Sequence, residues 1–504
     1  MICRLLVKST PPRFMLHRHL PVSLARTLVL HVLFFLVPAI FGHVLSFASG
    51  PPPFNAELEN IITRELPPNS AISIQVVDRE SGRVLMEKDP DLPLVPASTL
   101  KVVTTAAALR ALNPDYTFLT EAWADNIRGG SVGNLFLKGY GDPYLVSEEL
   151  FALTRSLREK GLKEVRGNIV VDDSYFVPSK PLDENEKLGN RSYHAPYSAL
   201  SLNFNSLKIV VLPASRPDQP ARVIIDPVSE YAVIKAEVNT IKGSRPADIE
   251  ISKEIKPDGR EIIRVDGVIG TQATVKGRYV NVHTPSLYTG DVFKEFLLRE
   301  GIKVTGKVIP GTVPASAVCY FQFNSRPLAS TIYWLNKFSN NFMAEQICMA
   351  MGAEVYGPPG TREKGLAVIR NFLLATGTDD SKFSLAEASG LSRSNRVSAS
   401  GLVKVLLGAA NDFSCSPEFM ASLSVAGVDG TMKEKFTDQK ARRRIRAKTG
   451  NLRGVNSLVG YGTSPDGKVF VFAVLVNSLQ KGTAFIDHAD KIIRAVMDLP
   501  LGSR

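Results

Sequence analysis

Three short stretches of this chain carry side chains able to do nucleophilic chemistry. In Ser98-Thr99-Leu100-Lys101 a hydroxyl and an amine stand three residues apart, at the head of a run rich in Ala, Val and Leu from Val102 to Leu112. On a helix these two side chains lie one turn apart and face the same way. A serine hydroxyl needs a base before it attacks, and a neutral lysine amine serves if burial and a second cation depress its pKa. Ser339-Asn340-Asn341, within the helical stretch YWLNKFSNNFMAEQI, offers a hydroxyl and an amide two residues apart. Lys448-Thr449-Gly450 occurs once, on a predicted strand. Its ammonium and hydroxyl suit a substrate carboxylate, and its glycine lets substrate backbone lie against the strand edge.

Each stretch alone is weak. The S-x-x-K spelling recurs at Ser478 to Lys481, after a strand and with no helix to hold it, and S-x-N recurs at Ser201-Leu202-Asn203. An isolated S-x-x-K is usually a helix cap beside a surface lysine. Beyond residue 48 only His194, His283 and His488 remain, none at H-x-x-x-H spacing, so a histidine metal site or Ser-His-Asp triad could arise only through long-range folding and nothing local argues for one. No metal and no cofactor is expected. Cys3 lies near the amino terminus, and Cys319, Cys348 and Cys415 form neither a disulfide framework nor a C-x-x-C pair.

The elements that must position these residues come from both chain ends. AISIQVVD (Ala71 to Asp78) and RVLMEK (Arg83 to Lys88) read as a hairpin across Arg79-Glu80-Ser81-Gly82. Ile445 to Lys448, Val455 to Thr463 and Lys468 to Asn477 read as three more strands, followed by helical spacing from Ile486 to Met497. Between them, Leu207 to Val282 is a succession of β-branched runs broken by Gly, Pro and Asp, a mostly β insertion. Ser330 to Met351 and Thr361 to Ala375 look helical. The insertion is expected to leave near Asn113-Pro114 and return between Pro310 and Pro314, where proline meets a change of texture.

The first 48 residues hold Arg4, Lys8, Arg13, Arg18 and Arg26, no acid, and an apolar run from Thr27 to Phe47. That is the order of an export signal cleaved after Ala48; an uncleaved anchor is the alternative, and His31, Pro38 and His43 interrupt it. Removal takes the formal net charge from +11 to +6, with no Arg/aromatic stripe, so nucleic acid is not expected as a partner. The basic run Lys440 to Arg446 reads as a solvated loop, with attraction to anionic wall polymer as the alternative.

Taken together, the three motifs and their order resemble the penicillin-recognising serine enzymes. The intervals, 241 residues from Ser98 to Ser339 and 109 from Ser339 to Lys448, resemble the class C low-molecular-mass penicillin-binding proteins. LFLKGYGDPYL (Leu135 to Leu145), YHAPYSALSLNFNSL (Tyr193 to Leu207) and VAGVDGTMKEKF (Val425 to Phe436) are similar to that class as well. EASGLSRSN (Glu387 to Asn395) departs from a more usual Asp-Gly-Ser-Gly-Leu-Ser, and Asn451 stands where Ser or Thr is common.

The resemblance implies an α/β (α+β) fold: a transpeptidase-like domain with a five-stranded antiparallel sheet and a helical lobe, interrupted by inserted, mostly β domains. The chain then divides into a signal (1–48), a catalytic domain (49–114 and 311–504), an inserted domain (115–206 and 283–310) and a second, mostly β insertion (207–282). It implies a D-alanyl-D-alanine carboxypeptidase/endopeptidase in the periplasm, acting on peptidoglycan and acylated by β-lactams, with a homodimer left open. Ser98 would be the nucleophile, Lys101 its base and Ser339 a proton shuttle. Asn341 would bind the substrate amide, Lys448 and Thr449 its carboxylate, with Gly450 alongside. Backbone N–H groups of Ser98 and Asn451 would form the oxyanion hole, Lys448 would help keep Lys101 neutral, and Asp172 would meet the amino end of the stem-peptide side chain. The rival readings are a β-lactamase, for which no dedicated deacylating Glu is evident, and a wall-binding scaffold without catalysis, which has no need of two buried lysines.

Overall fold

The computed structural model describes residues 59–60, 62–64, 66, 69–178, 195–477 and 488–498. The expected export segment, His194 and the second S-x-x-K at 478–481 lie outside them.

Six antiparallel strands form the central sheet, in the order Ser424–Val425, Ile445–Leu452, Val455–Thr463, Val469–Asn477, Ala71–Asp78, Val84–Lys88. The five expected strands are joined by a sixth of two residues. The two ends of the chain meet at its centre, where Ala71 to Asp78 pairs along its whole length with Asn477 to Phe470. The first hairpin closes on Asp78, whose Oδ1 accepts from the N–H and Oγ–H of Ser81 at 2.8 and 2.6 Å, with Gly82 at φ 70°. Period-2 alternation decides what each face meets. Val471, Ala473 and Leu475 face a helical lobe, while Phe470, Phe472, Val474 and Val476 face a core shared with the helix His488–Met497. The strand is apolar from Val469 to Val476 because both its faces are covered.

The helix Leu100–Leu112 is buried nearly all round, with only Arg110 exposed, and runs through the middle of the lobe. Around it pack Leu328–Phe338, Asn341–Tyr356, Arg362–Ala375 and Ala399–Asn411.

The segment between holds a five-stranded sheet, Val308–Pro310, Ile169–Asp172, Leu135–Gly139, Leu119–Ala124 and Val318–Asn324 in order, with helices Ser147–Glu159 and Pro285–Arg299. The strands from Ser206 to Asn281 form two further three-stranded sheets. Leu207, Ile209, Val238, Ile263 and Val265 share one apolar core with Leu137, Val171, Val292 and Phe293, so both parts of the insertion are built on a common centre. The return point differs from the proline-based expectation. Val318–Asn324 pairs with Ala124 to Leu119 as the edge strand of the inserted sheet, so residues 311–324 go with the insertion. The crossing itself is stitched further on, where the N–H groups of Leu328 and Ala329 donate to Tyr116 O and Pro114 O at 2.8 and 3.0 Å.

Candidate active site

Ser98 sits in a 3-10 turn, Ala97–Thr99, that leads directly into the helix Leu100–Leu112. The turn is strained and clasped: Ala97 has φ 49°, a region that costs a non-glycine residue about 1–3 kcal/mol. Thr99 Oγ1 donates to Pro96 O at 2.6 Å, and Ser457 Oγ lies 2.7 Å from the same carbonyl. Two glycines close in from other parts of the chain. A Cβ on Gly390, at φ 83°, would come within 1.9 Å of Ala97 O; one on Gly450 would meet Ser457 Oγ at 2.2 Å, Pro96 O at 2.7 Å and Ser98 N at 3.1 Å. Gly450 is therefore required by close packing on the nucleophile turn, a constraint separate from the room for substrate that the sequence suggested.

Lys101 is fully buried. Its Nζ lies 3.0 Å from Ser98 Oγ, 2.7 Å from Asn341 Oδ1 and 2.5 Å from Ser389 O. The last two are acceptors only. A neutral amine has two N–H bonds and one lone pair; with both hydrogens directed at Asn341 and Ser389, the lone pair is left for the hydroxyl of Ser98. Burial lowers the Lys101 pKa to about 8, against the opposing pull of the carboxyl pair Glu387 and Glu345.

Ser339-Asn340-Asn341 lies between two helices instead of within one. Leu328–Phe338 stops at Ser339, whose φ of 57° is left-handed, and Asn340 caps the next helix by accepting from Met343 N at 3.1 Å. The break turns Ser339 Oγ toward Lys448 Nζ, 2.8 Å away, while Asn341 opens the new helix toward Lys101. Lys448, also fully buried, donates in addition to Thr449 O at 2.9 Å. Burial first, then the charge of Lys101, push the Lys448 pKa well below its ordinary value. For Lys101 the depressing cause is burial, and the repulsion between the two ammonium groups is felt at Lys448.

The strand Ile445–Leu452 runs four residues past its expected end, so Lys448-Thr449-Gly450-Asn451 all lie on it. Ser424–Val425 pairs only with Ala447 and Arg446, and among the described residues no strand pairs with that edge from Lys448 onward. Thr449 Oγ1 donates to Thr431 Oγ1 at 2.9 Å, and the exposed Asn451 side chain accepts from Asn456 Nδ2 at 2.7 Å.

Asp172 makes none of its described hydrogen bonds to this cluster. It ends a strand of the inserted sheet, fully buried, and accepts from Ser174 N (3.0 Å), Ser174 Oγ (2.6 Å) and Val313 N (2.8 Å), with Lys138 Nζ at 3.4 Å. Burial alone would raise its pKa, but these donors hold it below the usual carboxylate value. The adjacent Asp173 is the more open of the two and accepts from Ser198 Oγ at 3.0 Å.

Sequence reasoning passed over Glu345, Glu387 and Ser389, which form the floor under Lys101. One signal was available: Glu345 follows Asn341 by four residues, one turn along the same helix face, in a mostly apolar stretch.

A model of the D-Ala-D-Ala carboxypeptidase 3 (S13) family matches residues 54–496. The chain is 33% identical over 439 residues to a D-alanyl-D-alanine carboxypeptidase of Actinomadura sp., covering 83% of this chain and 80% of the relative. The crystal structure of penicillin binding protein 4 (dacB) from Haemophilus influenzae shares its fold, with TM-score 0.74 at 22% identity, over 88% of this chain and 99% of that one. The same protein complexed with a β-lactam gives TM-score 0.71, also at 22% identity, over 87% and 98%.

Proposed function

The chain belongs to the D-Ala-D-Ala carboxypeptidase 3 (S13) family and is a serine D-Ala-D-Ala carboxypeptidase, and on that premise we propose how its residues divide the work. The observation that carries the reading is the set of three partners around Lys101 Nζ, two of which accept hydrogens only. Lys101 takes the proton of Ser98 as Oγ attacks the carbonyl between two D-alanines. Backbone N–H groups of Ser98 and Asn451 receive the developing oxyanion, where preorganised donors contribute most to rate. When the C–N bond breaks, the departing amine receives its proton through Ser339, whose hydroxyl is backed by Lys448. Lys448 and Thr449 hold the terminal carboxylate, Asn341 the substrate amide, and the open strand edge its backbone, past Gly450. Water then cleaves the Ser98 ester.

The substrate is the stem peptide of peptidoglycan. Cross-links carry the same D-Ala carbonyl, so endopeptidase action follows from the same chemistry. A β-lactam acylates Ser98 as the relative complexed with one suggests. Location in the periplasm rests on the basic, then apolar, amino-terminal segment; among the described residues no helix is long and apolar enough to cross a membrane. Asp172, already fully engaged, serves the inserted sheet and not the substrate. Labelling by a fluorescent penicillin together with D-alanine release tests the core of this: Ser98→Ala abolishes both and keeps its fold, because a half-exposed hydroxyl contributes little to stability. Labelling that persists in Ser98→Ala sinks the assignment.

A further inference from the structure

Beneath Lys101 lie two carboxyl groups that the chemistry above leaves unused. Glu345 and Glu387 are 3% and 1% exposed, and both accept the N–H of Ser389, at 2.9 Å each. Glu345 Oε1 accepts the N–H groups of Ala388 and Ser389 at 2.7 and 2.9 Å. The carbonyl of that same Ser389 is one of the two fixed acceptors of Lys101. The other, Asn341, stands one turn earlier on the same helix. A single helix face therefore sets both: Asn341 directly, and Ser389 through Glu345.

Glu387 closes the turn from inside. Its Oε2 accepts from the N–H of Ser389 at 2.9 Å and from Ser389 Oγ, and its Oε1 from Gly390 N at 2.6 Å and Asn395 Nδ2 at 2.5 Å. Two touching buried carboxyls do not both ionise. Burial and then Glu387 raise Glu345 well above the ordinary carboxylate value, while four donors converge on Glu387, so the pair's negative charge rests there. Arg362 offers only distant compensation: its Nε is 3.6 Å from Glu345 Oε2, and its Nη2 donates to Tyr197 Oη at 2.7 Å.

We propose that Glu345 and Glu387 are positioning residues for the general base: protonated Glu345 locks the Ser389 carbonyl under Lys101, and the charge on Glu387 sets the pH at which Lys101 becomes a base. The proposal rests on Lys101 being that base. The ionisable groups facing Lys101 are Glu345 from the helix Asn341–Tyr356, Glu387 from the turn, and Lys448 from the strand Ile445–Leu452. The first two belong to the device, and the third is constant across the variants below.

The test measures second-order acylation by penicillin against pH for the parent, Glu345→Gln, Glu345→Ala and Glu387→Gln, with thermal melts alongside. Glu345→Ala leaves the Ala388 N–H without its acceptor and the Ser389 N–H with Glu387 alone, and lets the Ser389 carbonyl drift; acylation falls by about 100-fold. Glu345→Gln, which keeps an acceptor and a donor and replaces an uncharged group, recovers to within about threefold of the parent with its acid limb unmoved. Glu387→Gln removes an anion that favours the ammonium, so its limb moves to lower pH by on the order of one unit. A Glu387→Gln limb that stays in place overturns the proposal, as does a folded Glu345→Ala protein that acylates like the parent. If Glu345→Ala does not fold, the two glutamine variants decide. Lys101→Arg run beside them separates the two readings: normal acylation in that protein means the base is misassigned, whatever the carboxyl pair does.

Discussion

Replacing Lys101 by Arg keeps a cation in the site but removes the ability to become neutral, because a guanidinium does not lose its proton in proteins. In the parent, burial brings the Lys101 amine from 10.5 to about 8. At pH 7 about one molecule in ten then holds a neutral Lys101, against about three in ten thousand for an ordinary lysine, a gain of roughly 300-fold in active base. The sign follows from the charge: the amine works only after losing its proton, so acylation climbs about tenfold per pH unit on the acid side and levels off near 8. Lys448, itself pushed well below its ordinary value by burial and then by the charge of Lys101, also loses charge as the pH rises, and grip on a substrate carboxylate weakens. Stopped-flow acylation by penicillin across this range gives the profile. Lys101→Arg loses about 10²–10⁴-fold in rate, the usual worth of general base catalysis, and loses the limb as well. A flat parent profile, or an Arg variant acylating within tenfold of the parent, refutes the reasoning.

Three further outcomes are expected. Gly450→Ala drives a methyl into Ser457 Oγ, Pro96 O and Ser98 N, so acylation drops by about 100-fold and stability falls by about 1–3 kcal/mol, both read from one preparation by labelling and melting. Lys448→Met removes an ammonium that is buried without a carboxylate partner among its hydrogen bonds. D-alanine release collapses while the protein becomes more stable by about 1–2 kcal/mol, and a lowered melting temperature counts against the repulsion argument. Asp172→Ala strips the acceptor from Val313 N and Ser174 and costs about 2–3 kcal/mol; penicillin acylation stays within a few-fold, and an undiminished melting temperature with impaired turnover of stem peptide would return Asp172 to the substrate.

The placement of the candidate groups was legible where a helix or strand period fixes what spacing means: Ser98 and Lys101 lie a turn apart, and Lys448 lies on the strand expected from Ile445, which continues to Leu452. The hairpins were legible too, from turn residues such as Ser81-Gly82 and the apolar strands beside them. Where reading failed, the deciding interaction was remote in sequence. Apolar residues continue on both sides of Ser339, so local periodicity suggested an unbroken helix; the hydroxyl that the left-handed residue presents meets Lys448, 109 residues away. The return of the insertion was placed at Pro310 to Pro314 by composition, but pairing of Val318–Asn324 with residues near 120 decides it. Glu387 looked like a scaffold departure because nothing nearby in the chain reveals Glu345 beneath it. Gly450 was read for the substrate, although its own neighbours at 96, 98 and 457 already forbid a side chain.

The clasped turn around Ser98 has a temporal consequence. Its walls come from Pro96, Gly390, Gly450 and Ser457, and the strand that carries Ala71–Asp78 finds its main partner only at Phe470–Asn477. A chain made from its amino terminus thus displays the nucleophile early and lacks the pocket around it until the last strands have been added. Throughout synthesis the serine is an ordinary alcohol, harmless to any amide it meets. Covalent uptake of a penicillin consequently works as a gauge of completed assembly: each labelled molecule has brought its distant segments into register, and a truncated or half-folded one stays dark.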